Sequence, residues 1–169
     1  ALHRYTAERH FEYEPPEQLT LLLDGNVGGT VFKADDVSQT EIMTHTPQSV
    51  PYRLLKNPKV LLLGEVGGVN VWLAKRYNAA SITVVQDNPK IIRLMKNELK
   101  EENGAIFLAD TVNVVEQNPR HFLETTQKRY DIIHFARPES ITAGSMGLHG
   151  IHENYLLTVE AFRSAMARL

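Results

Sequence analysis

Lys59-Val60-Leu61-Leu62-Leu63-Gly64-Glu65-Val66-Gly67-Gly68 is the stretch on which the fold turns. Residues 60–63 are apolar without alternation, the mark of a strand buried on both faces, as in the middle of a parallel sheet. Three glycines at 64, 67 and 68 then turn the chain, and residues 69–77 read as a helix. Glycine lets backbone approach a ligand closely, and the first turn of the following helix offers unpaired N–H groups to an anion or polar group. Tight turning serves a purely structural end equally well, and spacing alone divides the two readings about evenly.

The same grammar continues outward. Residues 82–85 form a second buried strand, Asn88 caps a helix with Pro89 at its first position, and Ile91, Ile92, Met95 and Leu99 recur at helical spacing until Asn103-Gly104. Residues 111–115 read as a third strand, Asn118-Pro119 opens a short helix carrying Phe122 and Leu123, and residues 131–135 are a fourth strand. After a Gly- and Ser-rich loop over 138–150, Asn154 starts a last helix with Leu156, Val159, Phe162, Met166 and Leu169 along one stripe. Strands alternating with helices predict an α/β domain: a Rossmann-like parallel sheet with flanking helices, whose ligands sit beyond the carboxyl ends of the strands.

Upstream, residues 1–18 are a polar lead-in closed by Pro15-Pro16. Residues 19–23 and 30–33 flank the turn signal Asp24-Gly25-Asn26, which predicts a β-hairpin, and residues 40–45 suit a short helix. The expected division is a hairpin module over 1–50 and a nucleoside-binding domain over 51–169. Sheets of this type usually run beyond four strands, so the second domain is expected to be partial, and the chain to belong to a longer one. Its start at Ala1 rather than Met suits a processed chain or an excised piece equally.

Composition narrows the partners. A net charge of −2 on 169 residues leaves no electrostatic footprint for nucleic acid or an anionic membrane. Absence of cysteine excludes disulfides, thiolate nucleophiles and cysteine metal sites. No apolar run nears the roughly 20 residues that span a bilayer, and no signal peptide opens the chain. A cytoplasmic domain is expected.

At this level of detail the chain resembles the spermidine synthases, the polyamine aminopropyltransferases of the S-adenosylmethionine-dependent methyltransferase fold. Leu22-Leu23-Asp24-Gly25 resembles the L-D-G of that family's hairpin, and residues 41–47 its E-M-L-x-H-x-P. Residues 59–68 are similar to its K-V-L-x-x-G strand and glycine loop, and Tyr130-Asp131-Ile132-Ile133 to its Y-D-V-I strand. Glu153-Asn154-Tyr155 and residues 158–162 look like a helix of bacterial, often membrane-fused, relatives, which would tie a parent protein to a membrane. The resemblance covers nearly the whole chain. It implies a nucleoside-sulfonium ligand, S-adenosylmethionine or its decarboxylated form, bound by Gly64, Glu65, Gly67, Gly68, Gln86, Asp87, Glu116 and Gln117.

Working positions depart from the family pattern where scaffold positions do not. Val66 replaces the middle glycine of G-G-G-D-G-G, and its branched side chain would crowd a close ligand. The ribose-gripping Glu falls on Gln86, which keeps hydrogen bonding and loses the charge. Asp87 next door points to the opposite face if the strand continues. The adenine-contacting Asp has two registers, Ala109-Asp110 and Glu116-Gln117; the second keeps the spacing to Tyr130-Asp131 and places Arg120, Phe122 and Leu123 on an R-x-F-L pattern.

Aminopropyl transfer needs a base for the substrate amine and anions for the polyamine. The resemblance puts the first Asp at Ala136 and matches a second with Glu139, the one candidate base, with the cationic Arg137 between them. The family's Y-H pair falls on Gln39-Thr40, and its hairpin Gln on Gly28.

Other residues have plainer readings. His149 and His152, with Glu153 next to them, form an H-x-x-H-E string with no further ligand identifiable and read as surface loop. His134 reads as a core or cleft-edge histidine, His45 as a packing residue, Trp72 as core, and residues 96–102 as a solvated helix face. Three functions therefore compete. The first is a spermidine-synthase-like domain that has lost aminopropyl transfer and serves binding or scaffolding. The second is an active aminopropyl or methyl transferase; methyl transfer relies largely on orientation and needs few dedicated side chains. The third is a structural domain that dimerises through its hairpin or its sheet edge.

Overall fold

The structure, a computed structural model, describes residues 15–23, 26–136 and 156–169. In the hairpin, β1 (Gln18–Leu23) pairs antiparallel with β2 (Asn26–Phe32), with a register shift between Leu21 and Leu22. A 3₁₀ segment, Val37–His45, follows and exceeds the expected 40–45 at its start, because Asp36 and Gln39 form a capping box there. Pro51 then sits in the first turn of α1 (Val50–Leu54), where its missing N–H costs nothing.

The main sheet is parallel throughout, in the order β5-β4-β3-β6, from β3 (Lys59–Leu63), β4 (Ser81–Gln86), β5 (Val112–Glu116) and β6 (Ile132–Phe135). The strand expected to be doubly buried lies inside, between β4 and β6, and residues 60–63 are each 0% exposed. Val60 and Leu62 face one core with Ile82, Val84 and Trp72; Leu61 and Leu63 face another with Phe122, Leu123 and Ala165. A strand with a core on each side cannot alternate. Val31 and Phe32 of the hairpin, with Ile42 and Met43, belong to the first of these cores.

Helices alternate with the strands as the sequence predicts. In α2 (Val69–Arg76), Trp72 is 1% exposed and packs in the core. Asn88 caps α3 (Pro89–Arg93), which widens into a π turn over Leu94–Glu98 instead of running on as α-helix. Leu99 N–H there reaches back five residues to the Leu94 carbonyl, and Asn103 Nδ2 donates to the Met95 carbonyl at 2.7 Å. Gly104, at φ +60°, ends the segment against the Ala34 carbonyl.

Asn118 caps α4 (Pro119–Thr125) through the N–H groups of Arg120 and His121. The last helix, α5 (Val159–Met166), starts later than expected. A turn over 156–158 leads into it and Thr158 is its cap; Asn154 lies outside the described residues. Ala161 and Ala165 face the core, whereas Val159, Phe162, Met166 and Leu169 of the expected stripe are exposed. Among the described residues no helix is long and apolar enough to cross a membrane.

Candidate functional site

Parallel α/β sheets present their ligand crevice at the carboxyl ends of the strands. Here Gly64 N–H closes onto the Val85 carbonyl at 2.8 Å, and Gly64, Gly67 and Gly68 adopt φ of 75°, 93° and 88°. The glycine turn therefore forms where the sequence put it.

What approaches the turn is protein. A Cβ on Gly67 would lie 2.1 Å from the Thr30 carbonyl oxygen, and Val31 forms an antiparallel bridge with Gly68. Val66 is 8% exposed and packs on Gly29, where a Cβ would come within 2.9 Å of its Cγ1. Strand β2 is thus seated on the turn, and the freedom of Gly29 and Gly67 serves that close backbone contact.

Glu65 points inward and is 2% exposed. Its Oε1 accepts the Gly68 N–H at 2.9 Å and its Oε2 the Asn70 Nδ2 at 2.6 Å, so the loop's own carboxylate caps the amino end of α2. Burial pushes this carboxyl up to about 7, against the lowering effect of the Asn70 and Gly68 hydrogen bonds. Tyr52 is held above the usual phenol range, first by burial and then by the Glu65 charge.

Gln86 is 5% exposed and tied at both ends: Nε2 donates to the Glu65 carbonyl at 3.0 Å, and Oε1 accepts the Asn88 N–H at 3.0 Å. Asp87 is exposed beside it. A hollow bounded by Glu65, Gln86, Met95, Phe107 and Val114 holds about 10 Å³, room for little more than one water.

Glu116 pairs in register with Gln86 at the carboxyl end of β5, and Gln117 N–H donates to the Gln86 carbonyl at 3.1 Å. Asp110 precedes β5 at the opposite end of the sheet, so only the Glu116-Gln117 register borders the crevice. Ala136 closes β6 through its N–H to the Leu63 carbonyl at 2.9 Å, also at the carboxyl end. Glu139, Arg137, His149, His152 and Glu153 lie outside the described residues. Among the described residues no three His, Cys, Asp or Glu side chains gather as a metal site. His134 is half-buried on β6, and loss of solvent lowers its pKa. His45 is half-buried at the end of its 3₁₀ segment.

Of the eight residues expected at the ligand, the structure brings Gly64, Glu65, Gly67, Gly68 and Gln86 together and leaves Asp87, Glu116 and Gln117 along the rim. Sequence reasoning missed that Glu65 and Gln86 bond inward. The seating of Thr30 and Val31 on the turn had no signal, because the partners are far apart in sequence.

No family model matches the chain. It is 25% identical over 135 residues to polyamine aminopropyltransferase 2 of Aquifex aeolicus, covering 73% of this chain and 26% of that protein. It is 27% identical over 114 residues to the polyamine aminopropyltransferase of Pseudomonas syringae, covering 67% and 38%. Among solved structures, a spermidine synthase in complex with the transition-state analogue AdoDATO superposes with a TM-score of 0.61 at 23% identity, covering 88% of this chain and 46% of that one. The chain thus spans less than half the length of each of these proteins. Its sequence makes it a distant homologue of the polyamine aminopropyltransferases, and its fold is shared with spermidine synthase and, at a TM-score of 0.51 and 15% identity, with a putative methyltransferase of Escherichia coli.

Proposed function

We propose that this domain has lost aminopropyl transfer and acts as a binding or scaffolding module within a longer protein. The observation that carries the proposal is the inward bonding of Glu65 and Gln86. A nucleoside ligand needs side chains at the strand ends that can accept from its ribose hydroxyls. Gln86 already satisfies both ends of its amide, and Glu65 already caps α2. Recruiting either for a ligand would strand a buried partner, at about 1–3 kcal/mol each.

Two further features support the reading. Ala136 stands where the resemblance calls for the base, and a methyl group cannot take a proton from an amine. Val66 and the seated β2 occupy the approach to the turn. S-adenosylmethionine and its decarboxylated form remain the ligands to try, because they are the ones the resemblance implies.

Calorimetric titration with S-adenosylmethionine, decarboxylated S-adenosylmethionine and methylthioadenosine tests the proposal. The expected outcome is millimolar affinity or none for all three. Micromolar binding of decarboxylated S-adenosylmethionine, with turnover of a polyamine, would overturn it. Micromolar S-adenosylmethionine binding without aminopropyl transfer would favour a methyltransferase instead.

A further inference from the structure

A cavity bounded by described residues lies at the other end of the sheet. About 570 Å³ opens at the amino ends of the strands, within the size range of small-molecule sites. Its position follows from the length of α4. On that face of the sheet Leu61, Thr83 and Asn113 lie side by side in register, and the seven-residue α4 places Phe122 and Leu123 in a core with Leu61. Thr83 and Asn113 line the open groove.

Three cations, Lys59, Lys128 and Arg129, also line this groove, against one carboxylate, Asp110. Neither Lys59 nor Lys128 has an ion pair among the described residues, and the Arg129 guanidinium makes a single long bond, 3.3 Å to the Leu169 carbonyl. Like charges gathered over a concave wall raise the local potential and attract counter-ions. Neutral groups add to them. The side chains of Thr83 and Asn113 make no hydrogen bond among the described residues, though Thr83 is 5% exposed. Tyr130, another lining residue, is 5% exposed and keeps its hydroxyl out of solvent, so it forms part of the wall.

We propose that this groove binds a small phosphate-class polyanion. Lys59, Lys128 and Arg129 supply the charge, and Thr83 and Asn113 the neutral hydrogen bonds. The site is separate from the crevice at the carboxyl ends, so it stands or falls independently of the loss of aminopropyl transfer.

Inorganic phosphate and pyrophosphate are titrated into the protein at low ionic strength and followed by amide NMR. The expected result is saturable binding, tighter for pyrophosphate, with shifts centred on Thr83, Asn113 and Arg129. Lys128→Glu combined with Arg129→Glu is expected to weaken it about tenfold or more, as loss of charge-assisted hydrogen bonds implies. Both side chains are exposed, so the fold should survive; should it not, Thr83→Val and Asn113→Ala provide the same test with smaller expected losses. Absence of saturation into the tens of millimolar, shifts centred on the amino end of α2, or undiminished affinity in folded variants would each overturn the proposal.

Discussion

The two ends of the parallel sheet treat their polar groups in opposite ways. At the carboxyl end, Glu65 and Gln86 are buried and bonded to Gly68, Asn70, Asn88 and each other's segment. At the amino end, Lys59, Lys128, Thr83, Asn113 and Tyr130 border 570 Å³ of open space with their side-chain polar groups unbonded among the described residues. In an α/β sheet the crevice at the carboxyl ends is where ligands are expected. The contrast teaches that topology alone does not locate a working site. The state of the polar groups has to be read as well.

If the glycine turn is now a structural joint, damage to the joint should have the largest effect. Gly67→Ala places a Cβ at φ +93° and 2.1 Å from the Thr30 carbonyl. A loss of about 4 kcal/mol or more is expected, read as a collapse of the urea midpoint or failure to fold. A variant of near-normal stability would mean that β2 can lift from the turn and that the crevice can open.

Glu65 comes next, and here pH is the probe. Its folded pKa of about 7 lies above the ordinary value of 4.5, so the folded state binds the extra proton. The stability this contributes is complete below about 4.5 and is lost as pH rises through about 7, a fall of about 3 kcal/mol. His134, whose pKa burial lowers, works in the opposite direction. The difference between the wild type and Glu65→Gln isolates the carboxyl: urea midpoints from pH 4 to 8 should lose this falling component in the variant. An identical pH profile in both proteins would place Glu65 in solvent and free it for a ligand.

A smaller effect is expected from Gln86→Glu, which puts in the acid that the resemblance implies at this position. The new carboxylate would face the Glu65 carbonyl that Gln86 Nε2 now donates to at 3.0 Å. The cost is about 2 kcal/mol at pH 7, with no gain in nucleoside affinity by calorimetry. A tolerated substitution that gains affinity would show a ribose site one side chain short of function.

Tyr130→Phe should change least. Its hydroxyl has no partner among the described residues, so removing it should shift stability by less than about 1 kcal/mol, toward greater stability. A marked loss in thermal or urea unfolding would reveal a bound water or a structural bond at that hydroxyl, and would blunt the contrast between the two ends.

Much of the fold was legible because its signals are local. The unalternated run at 60–63, the caps at Asn88 and Asn118 and the stop at Gly104 each act within a few residues, and all appear where expected. The misses arose where non-local contacts decide. The π turn over Leu94–Glu98 accompanies a bond from Asn103, and the outward stripe of α5 arises because its alanines, not its large residues, fit against the second core. At the candidate site the residue types were legible, but the direction in which Glu65 and Gln86 bond was not.

The sequence by itself determined the parallel sheet, the glycine turn and the kinship with the aminopropyltransferases, because periodicity, capping and motif order are properties of neighbouring residues. Only the tertiary structure decided what touches the turn. Thr30 and Val31 reach it from a hairpin more than thirty residues away, and Gln86 bonds to Glu65 across two strands. Hydrogen bonds between distant segments exist only once the chain has closed on itself, and in this protein they hold Glu65 and Gln86, two residues the resemblance implies at a ligand.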